Sequence, residues 1–117
     1  SSGGALGITF DVSNEDDVVK MFSRVRQHIG RVDFLVHCEE IVHEKPLLET
    51  DLSEFDWVVN LNLRGTFLVG REAICAMSGH GGRLVLIASD LGYLGHETFL
   101  PYVLSKHGVM ALMRSWA

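Results

Sequence analysis

Tyr102 and Lys106 stand four apart in Tyr-Val-Leu-Ser-Lys, and Ser89 lies thirteen positions before Tyr102. Residues four apart in a helix share a face, so the spacing predicts a phenol and an ammonium held side by side. Free tyrosine has a pKa of about 10 and is a poor acid or base at neutral pH. A cation at about 4 Å, in an effective dielectric near 20, favours the phenolate by roughly 4 kcal/mol, or about three pKa units. The chemistry this predicts is general acid–base proton transfer by Tyr102 near pH 7. Chance also places lysines near tyrosines, so the elements that carry the pair must agree with the reading.

Six elements are expected in the order strand, helix, strand, helix, strand, helix. Leu6 to Val12 reads as a strand with Asp11 near its end, followed by a capping box on Ser13 and Asp16. Val18, Met21, Phe22, Val25 and Ile29 then recur at helical spacing, and Gly30 is placed to end that helix. Val32 to His37 reads as a buried strand, and the polar stretch from Glu39 to Thr50 as a loop. Ser53 is the expected cap of the longest helix, from about Glu54 to Met77, which is apolar nearly all round and so is covered on more than one side. Leu84 to Ala88 is a continuous apolar strand, and Pro101 suits the first turn of a last helix running to Trp116. Ser1 to Gly4 reads as a loop, a cloning remnant or the cut end of something longer.

This alternation predicts an α/β fold, a doubly wound parallel sheet with right-handed crossovers. Ligands of such sheets bind beyond the carboxyl ends of the strands. Asp11, the stretch His37 to Glu40 and Ser89 all fall at those ends, and Tyr102 and Lys106 follow the third strand over the same edge.

The 117 residues suffice for one small domain with a core. A net charge of −5 gives no reason to expect nucleic acid or an anionic membrane as partner. Cys38 and Cys75 make no disulfide framework, so a reducing, cytoplasmic location is expected. No apolar run is long enough to span a bilayer. His37, Cys38 and His43 are competent metal ligands, but their spacing matches no closed zinc site, and no metal is expected.

Across nearly its whole length the sequence resembles the short-chain dehydrogenase/reductase family. The resemblance rests on Phe10-Asp11-Val12, Val32-Asp33-Phe34-Leu35-Val36, Asn62-Leu63-Arg64-Gly65-Thr66-Phe67, Gly82 to Ser89 and Tyr102 to Val109, taken in order with the Ser89–Tyr102–Lys106 spacing. It implies a Rossmann-like fold and an oxidoreductase that interconverts a ketone and a secondary alcohol with NAD or NADP. Tyr102 would be the general acid/base. Lys106 would lower its pKa and hold the nicotinamide ribose, and Ser89 would hydrogen-bond the substrate oxygen. Asn62 would hold a water linking Lys106 to solvent. Asp11 and Val12 would contact the adenine, and Cys38 lies where the family's cofactor approaches closely. Asp11 has a second reading, as a cap for the turn that follows it. Leu91, Tyr93, Leu94, His96 and Phe99 fall where the family lines its substrate pocket, which suggests a mid-sized, partly apolar substrate. A homo-oligomer is implied as well. A different class of function, a non-catalytic subunit acting through helix-mediated association, is the competing reading.

Two departures from the family stand out. Where it usually has Asn-Asn-Ala-Gly, this chain has His37-Cys38-Glu39-Glu40. A carboxylate about 6 Å from a phosphate or ribose would repel it by roughly 3 kcal/mol at intermediate dielectric and by well under 1 in water. The second departure is length. The family's glycine-rich pyrophosphate turn precedes the equivalent of Asp11, and its substrate lid follows the equivalent of Ala117. In the strand order 3-2-1-4-5-6 the three strands expected here are the third, fourth and fifth, so the first of them lies roughly 14 Å from its nearest neighbour at about 4.8 Å per strand. The expectation is therefore an internal segment of a longer enzyme, three strands and three helices over residues 1–117, unstable when alone.

Overall fold

A computed structural model describes residues 3–117; Ser1 and Ser2, part of the stretch for which a loop is one expectation, lie outside the described residues. The first helix, α1 (Glu15–His28), starts on Asn14, whose side-chain oxygen accepts from the Asp17 backbone N–H at 3.0 Å. This corrects the expected Ser13 cap by one residue. The Ser13 hydroxyl is drawn back to the Asp11 carboxylate at 2.7 Å, which leaves the cap position to Asn14. Glu15, Asp16 and Asp17 occupy the positive first turn, as the helix dipole favours. Gly30 follows the helix end at φ +93°, a left-handed conformation that suits glycine.

Among the described residues the sheet has two parallel strands, β1 (Phe34–His37) and β2 (Arg83–Leu86), in register from Phe34 opposite Arg83 to His37 opposite Leu86. The first of the three expected strands, residues 6–12, is not one. A strand must satisfy its N–H and C=O groups on a neighbour. In the expected order two strands would separate this stretch from β1, so no partner lies within reach. It instead lays Phe10 and Val12 onto a small core of Val18, Leu68 and Val69, joined by Phe22, Leu35 and Leu61.

The long helix is three pieces end to end: α2 (Leu52–Val59), a π-helical turn (Asn60–Arg64) and α3 (Gly65–Met77). Its cap is Asp51, not Ser53. The Asp51 carboxylate accepts from the Glu54 N–H at 2.9 Å, and Glu54 reaches back to the Asp51 N–H at 3.0 Å, a complete capping box. A 3-10 turn at Leu47–Glu49 interrupts the preceding loop. The last helix, α4 (Leu100–Trp116), carries Pro101 in its first turn as expected. It packs on α2 and the π turn, while α1 packs on α3 and α3 on β1.

Leu35, His37, Leu84 and Leu86 point to the covered side of the sheet, and Phe34, Val36, Val85 and Ile87 point away from it and are exposed. The expectation of a long helix covered on several sides also fails in part, since Trp57 and Phe67 are exposed on its outer face. The radius of gyration, 15.8 Å, exceeds the roughly 13.4 Å of a compact chain of this length.

Gly65 sets the distance between α3 and Val12. A Cβ there would stand 2.8 Å from Val12 Cγ2 and 3.4 Å from its carbonyl oxygen. Gly65→Ala gains about 1 kcal/mol of helix propensity and loses about 1–3 kcal/mol to overpacking. The expected net result is a lower urea midpoint at unchanged m in the whole protein. A raised midpoint would mean that the contact is slack.

Candidate active site

Helix α4 delivers Tyr102 and Lys106 to one face, one turn apart, and both are buried. The Lys106 ammonium lies 5.5 Å from the Tyr102 ring centroid and donates to the Ile87 carbonyl, just beyond β2, at 2.9 Å. Its counter-ion is the Glu40 carboxylate, which forms an ion pair with Nζ through Oε2. The same Glu40 oxygen accepts from the Tyr102 hydroxyl at 3.4 Å. Two donors of α4 thus converge on one acceptor from the loop after β1.

The effect expected on Tyr102 is reversed, and that convergence is one contributor. Its phenol is held above the ordinary tyrosine value, first by burial. The Ser89 hydroxyl opposes the rise, and the charge and hydrogen bond of Glu40, with Asp90 behind it, add to it. Lys106 sits beside the phenol as expected, but Glu40 neutralises it. In this state Tyr102 is a protonated phenol at neutral pH.

Asn62, buried in the π turn, is an anchor. Its Oδ1 accepts from the Ile41 N–H at 2.8 Å, and its Nδ2 donates to the Ile41 carbonyl at 2.8 Å and to Ser105 Oγ at 3.2 Å. Ser105, wholly buried, donates to the Tyr102 carbonyl at 2.7 Å. Asn62 therefore ties the loop after β1 to the helix of the Tyr–Lys pair. The wider π turn, closed by the Gly65 N–H on the Asn60 carbonyl, lies where this reach is needed. Asn62→Ala would strand both Ile41 backbone groups, at about 1–3 kcal/mol each. We expect a loss of roughly 2–4 kcal/mol in the whole protein's unfolding free energy, and a loss under about 0.5 kcal/mol would contradict the anchoring.

Ser89 follows β2 at the same edge. Its Oγ accepts from the Leu91 N–H at 3.2 Å and donates to Asp90 Oδ1 at 3.1 Å, starting a 3-10 turn over Asp90–Gly92. Phe99 meets Tyr102 edge to face at 6.5 Å and His96 meets Phe99 at 4.7 Å, while Tyr93 and Leu94 are exposed. The Lys45 N–H donates to the Thr98 carbonyl at 2.8 Å, joining the two rims of the site.

Asp11, Val12 and Cys38 lie apart from the Tyr–Lys pair, around a cleft of about 490 Å³ lined also by Phe10, His37 and Leu61. The Asp11 carboxylate accepts from the Ser13 hydroxyl and, at 2.9 Å, from its N–H; both hold its pKa below the usual value. It thus does cap the following turn. His37 beneath the cleft is kept neutral by burial, against the pull of Glu39 and with the push of Lys106. Its Nε2 is buried without a hydrogen-bond partner among the described residues. His43 Nε2 lies 3.6 Å from Glu54, its two ring nitrogens also lack a hydrogen-bond partner among the described residues, and no three His, Cys, Asp or Glu side chains converge among those residues.

Glu40 is the site residue that sequence reasoning missed. The available signal was a carboxylate in the family's glycine position, at the sheet edge to which Lys106 also belongs. The grip of Tyr102 and Lys106 on one carboxylate oxygen fits a sugar hydroxyl in the same place, so the donor set suits the nicotinamide ribose of the cofactor that the resemblance implies. No helix among the described residues is long and apolar enough to cross a membrane.

Comparison with known proteins identifies the family. The profile of the short chain dehydrogenases matches residues 1–117. Carbonyl reductase family member 4 of Danio rerio is 35% identical over 112 residues, covering 96% of this chain and 47% of that protein. Cis-4-hydroxycyclohexanecarboxylate dehydrogenase of Sinomonas cyclohexanicum is 36% identical over 115 residues, covering 97% and 46%. For 2-dehydro-3-deoxy-D-gluconate 5-dehydrogenase of Formosa agariphila the identity is 29% over 114 residues, covering 97% and 43%. The chain spans about half the length of the curated relatives it matches. A family profile that runs from the first residue to the last, over a parallel α/β sheet with Tyr102 and Lys106 at its carboxyl edge, establishes that this chain belongs to the short-chain dehydrogenase/reductase family.

Proposed function

We propose that this chain carries the proton-transfer half of an NAD(P)-dependent oxidoreductase that interconverts a ketone and a secondary alcohol. The observation that carries the reading is the buried Tyr102–Lys106 pair, whose phenol and ammonium meet on one oxygen at the sheet's carboxyl edge. When bound, the cofactor supplies and accepts the hydride. Tyr102 gives its proton to the substrate oxygen during reduction and takes it back during oxidation. Lys106 holds the nicotinamide ribose and, once free of Glu40, favours the phenolate by its charge. Ser89, which follows β2 at the same edge, orients the substrate oxygen. Asn62 and Ser105 fix the frame. Asp11, Val12 and Cys38 border the cleft that would receive the adenosine end.

The substrate is a mid-sized, partly apolar carbonyl or alcohol compound, with Phe99, edge to face with Tyr102, as an apolar neighbour of the site. The reductase and dehydrogenase names of the relatives support the reaction class. The active protein is a homo-oligomer in the cytoplasm, for which the exposed Trp57 and Phe67 on the long helix offer a contact face.

The reaction is tested by incubating the whole protein with reduced cofactor deuterated at C4, one face at a time, and a panel of ketones. One label should appear on the carbinol carbon by mass spectrometry. Transfer of neither label to any ketone, with cofactor bound, would contradict the proposal and favour the non-catalytic reading.

A further inference from the structure

We propose that Glu40 is an internal ligand of the cofactor site: its carboxylate occupies the place of the nicotinamide-ribose hydroxyls between Tyr102 and Lys106, and it must withdraw before the cofactor seats. This inference rests on the reading of Tyr102 and Lys106 given above.

Three observations carry it. The first is the shared acceptor, since one Glu40 oxygen takes both the ion pair with Lys106 and the Tyr102 hydroxyl. A vicinal diol approaching these donors meets a site already filled. The second is the contrast in burial within the pair. The Lys106 side chain is 3% exposed and that of Glu40 33%. Lysine is fixed in the fold with the Ile87 carbonyl as its other partner, while glutamate reaches in from the rim and has solvent to return to. The third is the backbone. Cys38 to Glu40 belongs to no helix or strand, and the Asn62 anchor begins only at Ile41. Glu40 therefore sits on a short segment outside regular structure, next to a fixed point.

Withdrawal has two consequences. It exposes both donors to the ribose, and it removes from Tyr102 one of the influences that keep it protonated. The charged groups around the phenol are Glu40 from the loop after β1, Asp90 from the turn after β2 and Lys106 from its own helix. Once Glu40 leaves, Lys106 faces the phenol uncompensated. Cofactor loading and activation of the tyrosine are thereby one event, and Glu40 weakens cofactor binding in exchange for keeping the empty site closed.

The test compares the whole protein with its Glu40→Gln and Glu40→Gly variants, by calorimetric titration with NADH, NADPH, ADP-ribose and ADP. The first three carry the second ribose, and ADP does not. The expected result is a roughly tenfold or greater tightening of ADP-ribose and of the preferred cofactor in both variants, with ADP changed less than about twofold. Glutamine keeps an acceptor for Lys106, so a folding failure confined to Glu40→Gly leaves the comparison intact. Unchanged or weakened ADP-ribose binding would overturn the proposal. Equal tightening of ADP would overturn it too, because Glu40 would then act only as a general negative charge near the phosphates. In both cases the acid–base reading of Tyr102 would stand. If neither wild type nor variants bind NADH or NADPH at all, the reading of the site fails and the proposal with it.

Discussion

Replacing Tyr102 by phenylalanine in the whole protein should lower kcat by about 10²–10⁴-fold, the usual worth of a positioned general acid or base. Cofactor affinity should change by only a few fold. The split follows from the geometry. Phenylalanine fills the same space against Phe99 and keeps the helix face, so packing is retained. The lost atom is the hydroxyl that meets Glu40, and its removal relieves part of the burial cost of a phenol. Lys106 keeps its ion pair and its bond to the Ile87 carbonyl. A scaffold role for α4 would predict the reverse pattern, an unchanged turnover with altered association. Steady-state kinetics together with a direct binding titration separate the two.

The second large effect concerns stability. The 117-residue chain expressed alone should not unfold cooperatively. It exposes 7456 Å², against about 6,300 Å² for a typical 13 kDa monomer. Phe34, Val36, Val85 and Ile87 form an apolar sheet face with nothing over it among the described residues, the first at 70% exposure. Full burial of such side chains is worth roughly 1.5–3 kcal/mol each. Losing even half of that on four residues removes several kcal/mol from a net stability of about 5–15 kcal/mol. A two-stranded sheet does not make up the difference. Calorimetry should show a broad, weak transition, and the chain should bind a hydrophobic dye. A sharp melt with matching calorimetric and van't Hoff enthalpies would contradict this.

Much of the site was legible because its geometry is local. Tyr102 and Lys106 share a face whenever their segment is helical, and Pro101 and the apolar run behind them made it helical. The runs around β1 and β2 were legible as strands because a parallel strand reads as continuous apolar sequence; their expected burial fails on one face, where Phe34, Val36 and Val85 are exposed. What failed depended on partners. Residues 6–12 have a strand's composition but no neighbour to pair with. The caps moved by one or two residues because Ser13, Asn14, Asp51 and Ser53 compete for the same N–H groups, and the carboxylates of Asp11 and Asp51 hold the two serine hydroxyls. The π turn in Asn-Leu-Asn-Leu-Arg carries no mark in its composition; the demands of Asn62 on Ile41 and Ser105 accompany it. Glu40 meets Tyr102 across 62 residues of chain. Its inward turn, which adds to the rise that burial gives the phenol, is a property of the fold alone.

The central claim is that Lys106 makes Tyr102 a usable acid and base once the cofactor is in place. Its most direct measure is the ionisation of Tyr102 itself, followed by ¹³C NMR of ζ-labelled tyrosine in the whole protein. Tyr93→Phe would leave Tyr102 as this chain's one tyrosine signal. Without cofactor the phenol should ionise above the ordinary value of about 10, as burial and Glu40 dictate. With oxidised cofactor bound it should ionise well below that value, and Lys106→Met should send it back up. Alcohol oxidation needs the phenolate, so its rate should rise as pH rises through the lower, cofactor-bound value. A phenol that stays above about 10 with cofactor bound, or that ignores the loss of Lys106, would contradict the account.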